Sequence, residues 1–216
     1  MLDALRLLLY PDLRRISESS RCFNLRGPRL NELVDRLINY LENERVLQRV
    51  TAEGVPVGEN PEEQIESIFV GGLFFLEKFS RIIEKTVLDR KLEGGNLFVN
   101  FQTFENFAGR RETYDRIDEL DNHVYVYGTD AAPSWPYRRI RAVQVDPRDS
   151  LAHMWFVVYD NPSVSYALVA SGKRVSDGPR RHIEFRGLWT ARTSVTHSVR
   201  DYLLRVVNAQ YGVTQA

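Results

Sequence analysis

The chain has a single cysteine, Cys22, among 216 residues. One cysteine cannot form a disulfide within the chain, and it leaves no cysteine-based zinc site. The four histidines, His123, His153, His182 and His197, fall in four different segments without the close spacing of metal ligands. The sequence therefore predicts neither a metal nor another cofactor, and its cysteine content fits a reducing cytoplasm.

Long apolar runs and an excess of one charge are also lacking. Crossing a bilayer takes about 20 consecutive apolar residues, and charged residues interrupt the longest candidate, residues 65–79. The N-terminus shows no signal-peptide pattern. Lys plus Arg number 29 and Asp plus Glu number 29, so the overall charge favours neither nucleic acid nor an anionic membrane. We expect a cytoplasmic protein without a membrane or nucleic-acid partner.

Motifs of catalysis and nucleotide binding are equally scarce. The glycine pairs at residues 71–72 and 94–95 lack the spacing and the lysine of a phosphate-binding loop. Asp146 and Asp149 flank a proline, and two close carboxylates can act as acid and base. An Asp-Pro-x-Asp sequence is more often a turn followed by a helix cap. No catalytic residue is therefore predicted, and an unrecognised enzyme that uses these two acids is the third alternative for function.

Helical patterns dominate the first half of the chain. A short leucine-rich helix is predicted over residues 2–9. Apolar residues then recur every three or four positions over residues 30–41, which predicts a helix that we extend to about Val50. A further helix is predicted from Asn60, as its cap, to the glycines at 94–95. Gly71 and Gly72, inside that helix, predict a bend or a close approach of another backbone.

Strand patterns dominate the second half. LFVNF at residues 97–101, a helical stretch broken near Gly109, and HVYVYG at residues 123–128 predict a βαβ unit with parallel strands. We expect HVYVYG to be the central strand, because both of its faces are apolar. Antiparallel strands are predicted after it, and a last helix is predicted to begin near Thr193. These later strands are expected at residues 139–145, 154–159, 164–170 and 183–190.

These elements predict a mixed α+β fold. It consists of a single mixed sheet with a βαβ start and antiparallel strands, with helices packed on it. A helical segment precedes the sheet. We divide the chain into an N-terminal helical extension at residues 1–60 and a second domain at residues 61–216.

Five segments of the second domain form an ordered set of motifs. They are FVNFQ at 98–102, YDRIDELDNHVYVYG at 114–128, VDPRDSLAHMWFVVYD at 145–160, YALVAS at 166–171 and EFRGLWT at 184–190. This set resembles the DICT sensory domain, a family named for diguanylate cyclases and two-component systems, over about residues 63–207. The chain departs from the family pattern at Met154, where an acidic residue is expected before the tryptophan. The resemblance implies a cytoplasmic signal-input domain, common in cyanobacteria, with no established ligand and no catalytic residue to transfer.

Aromatic residues are the best candidates for a binding site. By the two-residue period of strands, Tyr125 shares a face with Tyr127, Trp155 with Tyr159, and Phe185 with Trp189. If these faces meet, they form an aromatic wall with space beside Gly187, as a small-molecule pocket requires. The alternative is an ordinary core, because aromatic side chains dominate protein interiors. The residues predicted to bind a ligand are Gln102, Tyr127, Trp155 and Trp189.

Arginines form a second candidate site. Arg138, Arg139 and Arg141 lie close together near a predicted strand and make a basic patch suited to phosphate groups. The neutral overall charge favours solvated side chains or a patch that faces a protein.

The sequence as a whole predicts a non-enzymatic cytoplasmic sensory or regulatory module. It would bind a small ligand or a partner, either a signalling protein or a second copy of the chain in a homodimer, and relay the signal through its helices. The alternative is a pure protein-interaction adaptor with a filled core.

Overall fold

The architecture is one eight-stranded mixed sheet with helices on both faces. It is seen in a computed structural model, which describes residues 29–43, 48–51, 67–175 and 182–211. The strands are β1 (Gln48–Thr51), β2 (Ser67–Gly71), β3 (Asn96–Asn100), β4 (His123–Gly128), β5 (Ile140–Gln144), β6 (Met154–Asp160), β7 (Ser165–Val175) and β8 (His182–Thr190). The helices are α1 (Leu30–Asn43), α2 (Leu73–Asp89), α3 (Phe104–Ala108), α4 (Arg111–Asp118) and α5 (Thr193–Tyr211), with a 3-10 turn at Ser150–His153. The predicted α+β class with a single mixed sheet is confirmed.

The order of the strands across the sheet is β1-β2-β8-β7-β6-β3-β4-β5. The predicted βαβ unit is confirmed, since β3 and β4 pair in parallel and α3 and α4 connect them. Strand β5 also pairs in parallel with β4, so our expectation that an antiparallel strand follows β4 was wrong. Residues 129–139 carry the chain back to the end of the sheet where β4 begins, which makes the parallel pairing possible. Strands β6, β7 and β8 are antiparallel, as predicted.

Strand β4, HVYVYG, is not central. Among the described strands, only β5 lies beyond it, so β4 is next to one edge of the sheet. Its residues after His123 are all buried, which agrees with the prediction that both faces are covered. Apolar residues on both faces show that a strand is covered, but they do not say how many strands lie on either side of it.

The predicted helix from Asn60 to the glycines at 94–95 is in part a strand. Residues 67–71 form β2, which pairs with β8, and α2 begins only at Leu73 and ends at Asp89. Gly72 is the N-cap of α2, with φ −91° and ψ 176°, so the glycine pair marks a change of element and not a bend in a helix. The predicted cap at Asn60 lies outside the described residues.

Helix α1 ends earlier than predicted. It spans Leu30–Asn43, and residues 48–51, which we assigned to the helix and the following loop, form β1 beside β2. Its apolar positions are buried as the helical period requires: Leu30, Leu33, Val34, Leu37 and Ile38. The division at residue 60 stays a prediction, although β1 joins the same sheet as β2. The predicted helix at residues 2–9 and Cys22 lie outside the described residues.

The sheet divides the core into two clusters. One face carries α1 and α5, whose apolar residues pack on Phe98, Tyr127 and Phe156. The other face carries α2, α3 and α4, which pack on Val99, Val157 and other side chains that alternate with the first set. The candidate site lies on this second face.

Candidate functional site

A cavity of about 370 Å³ lies between α2, the end of β3, the α3–α4 segment and β6. That volume is in the range of small-molecule sites, which also combine apolar walls with a few polar groups. Both kinds of group are present here. The lining residues are Leu73, Glu77, Ser80, Arg81, Glu84, Val99, Asn100, Phe101, Gln102, Asn106, Arg110, Tyr114, Trp155 and Val157.

Two of the four predicted binding residues line this cavity. Gln102 follows β3 and Trp155 lies on β6, and the fold brings both to the same space. Tyr127 and Trp189 are fully buried elsewhere. The hydroxyl of Tyr127 donates to the carbonyl of Leu203 in α5 (3.0 Å). The Trp189 ring stacks on Tyr166, with 6.0 Å between their centroids.

The aromatic faces do not all meet. Tyr127 packs in the cluster under α1 and α5, whereas Trp155 and Trp189 belong to the opposite face. Gly187 does not leave space either, because a Cβ there would lie 2.6 Å from the Cβ of Ala170. The two-residue period fixes only how side chains alternate along one strand. It does not show whether aromatic residues on two different strands lie on the same face of the sheet. The single aromatic wall proposed from the sequence was therefore wrong.

Trp155 is held in the cavity wall by a hydrogen bond to α2. Its Nε1 donates to Oγ of Ser80 (2.9 Å), and that hydroxyl donates to the carbonyl of Leu76 (2.8 Å). The ring also contacts Phe185 edge-on, with 6.3 Å between centroids. The indole N–H is thus satisfied within the protein, which leaves the half-buried ring as a fixed apolar surface.

Gln102 occupies the left-handed region of backbone conformation, with φ +61°. Its backbone N–H donates to Oδ1 of Asn100 (2.8 Å), and its Nε2 donates to the carbonyl of Met154 (3.1 Å). Asn100 in turn donates through Nδ2 to the carbonyls of Leu151 (2.7 Å) and Met154 (3.0 Å). Non-glycine residues take this conformation rarely and with an energetic cost, often at functional sites. These hydrogen bonds connect the end of β3 to the residues at the start of β6 and just before it.

A buried ion pair lies on one side of the cavity. Glu84 of α2 is only 3% exposed, and its carboxylate accepts hydrogen bonds from the Tyr114 hydroxyl (2.7 Å) and from the Arg110 guanidinium. Burial raises the pKa of Glu84, while Arg110, Tyr114 and Arg81 oppose that rise. Burial and the neighbouring Glu84 charge also raise the pKa of Tyr114 well above its usual value. The phenol therefore acts as a hydrogen-bond donor to Glu84.

The raised pKa of Glu84 predicts how stability depends on pH. The folded carboxyl holds its proton more tightly than the unfolded one, whose ordinary pKa is 4.5. The part of the folding free energy that arises from this pKa difference is complete below that value and is lost as pH rises through the raised pKa of the folded state. We expect the urea midpoint of the parent to fall relative to that of Glu84→Gln as pH rises from 4.5. A difference that stays constant or rises with pH would contradict the burial of an ionisable carboxyl here.

The predicted basic patch does not lie at the cavity. Arg139 pairs with Asp121 (2.6 Å), and the guanidinium of Arg141 lies over the ring of Tyr211, 5.7 Å from its centroid. Arg138 is exposed and makes no hydrogen bond or ion pair within the described part of the chain. The patch therefore has one free guanidinium, and a role for it in binding stays a prediction.

The two candidate acids, Asp146 and Asp149, serve the turn before β6. Asp146 accepts from the backbone N–H of Arg148 (2.8 Å), and Asp149 caps the 3-10 turn by accepting from Leu151 (2.9 Å). Both side chains are exposed and lie away from the cavity lining. This geometry agrees with the turn-and-cap interpretation.

Within the described ranges, no group of three or more His, Cys, Asp or Glu is placed to hold a metal ion. The helices of that part of the chain are each too short or too polar to span a membrane.

Sequence reasoning missed the polar side of the cavity. Leu76, Ser80 and Glu84 are spaced at intervals of four residues, so they lie on the same side of α2. All three are buried. That spacing was the available signal for Ser80 and Glu84. The partners Arg110 and Tyr114 lie 26 and 30 residues further along the chain from Glu84, and no local pattern connects them to it.

The part of the chain that forms this cavity matches a known protein family. Residues 74–173 match the family model of DICT, described as a sensory domain in diguanylate cyclases and two-component systems. The matched range includes every cavity-lining residue except Leu73. Searches among curated proteins and among solved structures gave no match. The resemblance to the DICT family inferred from the sequence is thus confirmed over residues 74–173, which match a sensory domain.

Proposed function

We propose that the protein is a non-enzymatic cytoplasmic sensory module that binds a small molecule in the cavity beside Trp155 and Gln102. The observation that carries this proposal is the cavity itself, about 370 Å³ in volume and lined almost entirely by residues of the range that matches the DICT domain. Its walls combine a fixed indole ring with amide and guanidinium groups. Such a combination suits recognition of a small organic ligand.

The hydrogen bonds around Gln102 supply a route from the cavity to the other face of the sheet. Gln102 and Asn100 line the cavity, and both donate to the carbonyl of Met154. Asn100 also holds the carbonyl of Leu151 in the 3-10 turn, which packs with α1 in the opposite core cluster. A ligand that displaces the side chain of Gln102 would therefore change the support of α1. We propose that α1 passes the bound state to a signalling partner or to a second copy of the chain.

The indole N–H of Trp155 offers a direct test of ligand binding. The protein has three tryptophans, so a ¹⁵N-labelled sample gives three indole signals, and the Trp155 signal is assigned by its loss in Trp155→Phe. We expect at least one member of a metabolite and nucleotide library to shift the Trp155 signal while the Trp189 signal stays in place. Trp189 is the internal control, because its ring is fully buried away from the cavity. A library without any member that shifts Trp155 would contradict a ligand-binding cavity.

A pure protein-interaction adaptor is the second candidate, and exposed apolar residues at the start of α2 favour it. Leu73 is 49% and Phe74 80% exposed, although large apolar side chains are usually buried. Leu73 lines the cavity, and Phe74 follows it in α2. A partner captured through Phe74 with no small molecule bound at Trp155 would favour the adaptor over the sensor.

A further inference from the structure

The charges around the cavity indicate which kind of small molecule it accepts. Four charged side chains line it: Glu77, Arg81 and Glu84 of α2, and Arg110 of the α3–α4 segment. Glu84 is already satisfied, because it accepts hydrogen bonds from Tyr114 and Arg110. It therefore presents little remaining negative charge to a ligand.

The two arginines have unused hydrogen-bond donors. Arg110 uses one guanidinium nitrogen for Glu84, and its side chain is 29% exposed. Arg81 is exposed at the mouth and makes no hydrogen bond or ion pair with any described residue. A guanidinium has five N–H donors and no acceptor, so both groups can bind an anion. Arg81 lies three residues before Glu84 on α2, and Arg110 bonds to Glu84, so the two guanidinium groups border the same side of the cavity.

Carboxylate acceptors for a cationic ligand are fewer than these guanidinium donors. The Ser80 hydroxyl already accepts from Trp155 and donates to Leu76. Glu77, half-buried one turn before Arg81, is the one lining carboxylate that makes no hydrogen bond or ion pair within the described residues. Glu84 compensates the charge of Arg110, which still has unused N–H donors. Arg81 has unused donors as well, so donors of two guanidinium groups face one unbonded carboxylate among the described lining residues.

We propose that the cavity binds a small organic anion, in which a carboxylate or phosphate group lies between Arg81 and Arg110 and a flat apolar body lies against Trp155. This inference rests on the proposed ligand-binding function and adds the chemical class of the ligand. Arginine binds both anionic groups in a bidentate manner. Trp155 and Val157 supply the apolar wall.

Four probes with one ring and different charges test this class. Benzoate and phenyl phosphate are anionic, benzamide is neutral, and benzylamine is cationic at neutral pH. Each is titrated into the ¹⁵N-labelled full chain while the Trp155 indole signal is followed. We expect an anionic probe to shift that signal at a concentration at least about tenfold lower than benzamide does, because charge-assisted hydrogen bonds are roughly twice as strong as neutral ones.

Substitutions of single charged residues locate the anion. We expect Arg81→Ala to weaken binding of the anionic probe about tenfold or more, and Glu77→Gln to strengthen it by removing a like charge. The matched control is Arg116→Ala, which removes an exposed helical guanidinium outside the cavity that makes no hydrogen bond or ion pair with a described residue, and it is expected to leave binding unchanged. Arg81 is suited to this test because it is exposed and makes no hydrogen bond or ion pair with a described residue, so we expect its removal to leave folding intact.

The outcomes separate this inference from the function it rests on. Equal or tighter binding of benzamide or benzylamine at Trp155, or an Arg81→Ala variant that binds the anions as the parent does, overturns the anion class and leaves a ligand-binding cavity in place. Absence of any shift at Trp155 with these probes and with the metabolite library overturns both.

Discussion

Replacing Glu84 with alanine is expected to lower the free energy of unfolding by about 3 kcal/mol. The substitution removes the acceptor of two donors at once. Tyr114 is fully buried, so its hydroxyl would lose its partner without access to water, and Arg110 would keep a partly buried charge without its counter-ion. Removal of one member of a buried pair costs more than the pair itself contributes, because the remaining member is left unsatisfied. Arg110 is partly exposed, so hydration of its guanidinium offsets part of the free energy that is lost with its ion pair.

Urea unfolding of Glu84→Ala at pH 7, followed by circular dichroism, measures this loss. Glu77→Ala is the matched control on the same helix, because Glu77 also lines the cavity but makes no hydrogen bond or ion pair with a described residue. We expect the control to change stability by about 0.5 kcal/mol or less. Glu84→Gln should lie between the two variants, since its amide oxygen can still accept from Tyr114. Equal stability of Glu84→Ala and Glu77→Ala would show that the ion pair does not form as described.

The strands of the second half were predictable because their local preferences and their environment agree. HVYVYG and MWFVVYD combine β-branched and aromatic residues, and they form β4 and β6 at nearly the predicted bounds. The polar Asn161 between two such runs marked the turn from β6 to β7, and its side chain accepts from the backbone of Ser163 and Val164 (2.8 Å each).

Strand β2 shows where local patterns are ambiguous. Ile68 and Phe69 fit the helical period of the residues that follow, but the same residues are β-branched or aromatic and suit a strand. The choice is made by β8, which pairs with β2 from more than 100 residues away along the chain and is itself bonded to β7 on its other side. No window around Ile68 contains that information. The parallel direction of β5 and the position of β4 near an edge depend on long-range pairing in the same way.

The candidate site was predictable only in part for a related reason. Trp155 and Gln102 line the cavity, and they were candidates because Trp155 stands in an aromatic strand pattern and Gln102 ends the motif FVNFQ. Tyr127 fits the same pattern equally well but faces the other side of the sheet. Glu84 was not predicted, since the sequence does not show that Arg110, just before α4, and Tyr114, within it, lie beside this carboxyl group.

A methyl group added at Gly187 of the sheet is expected to lower the stability of the protein strongly. Gly187 lies in β8 opposite Ala170 of β7 and opposite Phe69 of β2. A Cβ on Gly187 would lie 2.6 Å from the Cβ of Ala170 and 2.8 Å from its Cα, and it would also press on the carbonyl oxygen of Val169. Two of these contacts are with backbone atoms, so no change of side-chain rotamer relieves them. Strand β8 cannot shift aside, because it is hydrogen-bonded on both edges.

We expect Gly187→Ala to destabilise the protein by about 3 kcal/mol, at the upper end of the usual cost of overpacking. Gly72→Ala is the matched control, since a Cβ at Gly72 meets no atom within 4 Å and alanine in place of glycine at an N-cap costs only about 0.5 kcal/mol. Both variants lose the same flexibility in the unfolded chain, so the difference between their urea midpoints isolates the clash in the folded state. Equal midpoints would mean that β7 and β8 are not packed as closely at Gly187 as described, and that the sheet has room on this face for a larger side chain.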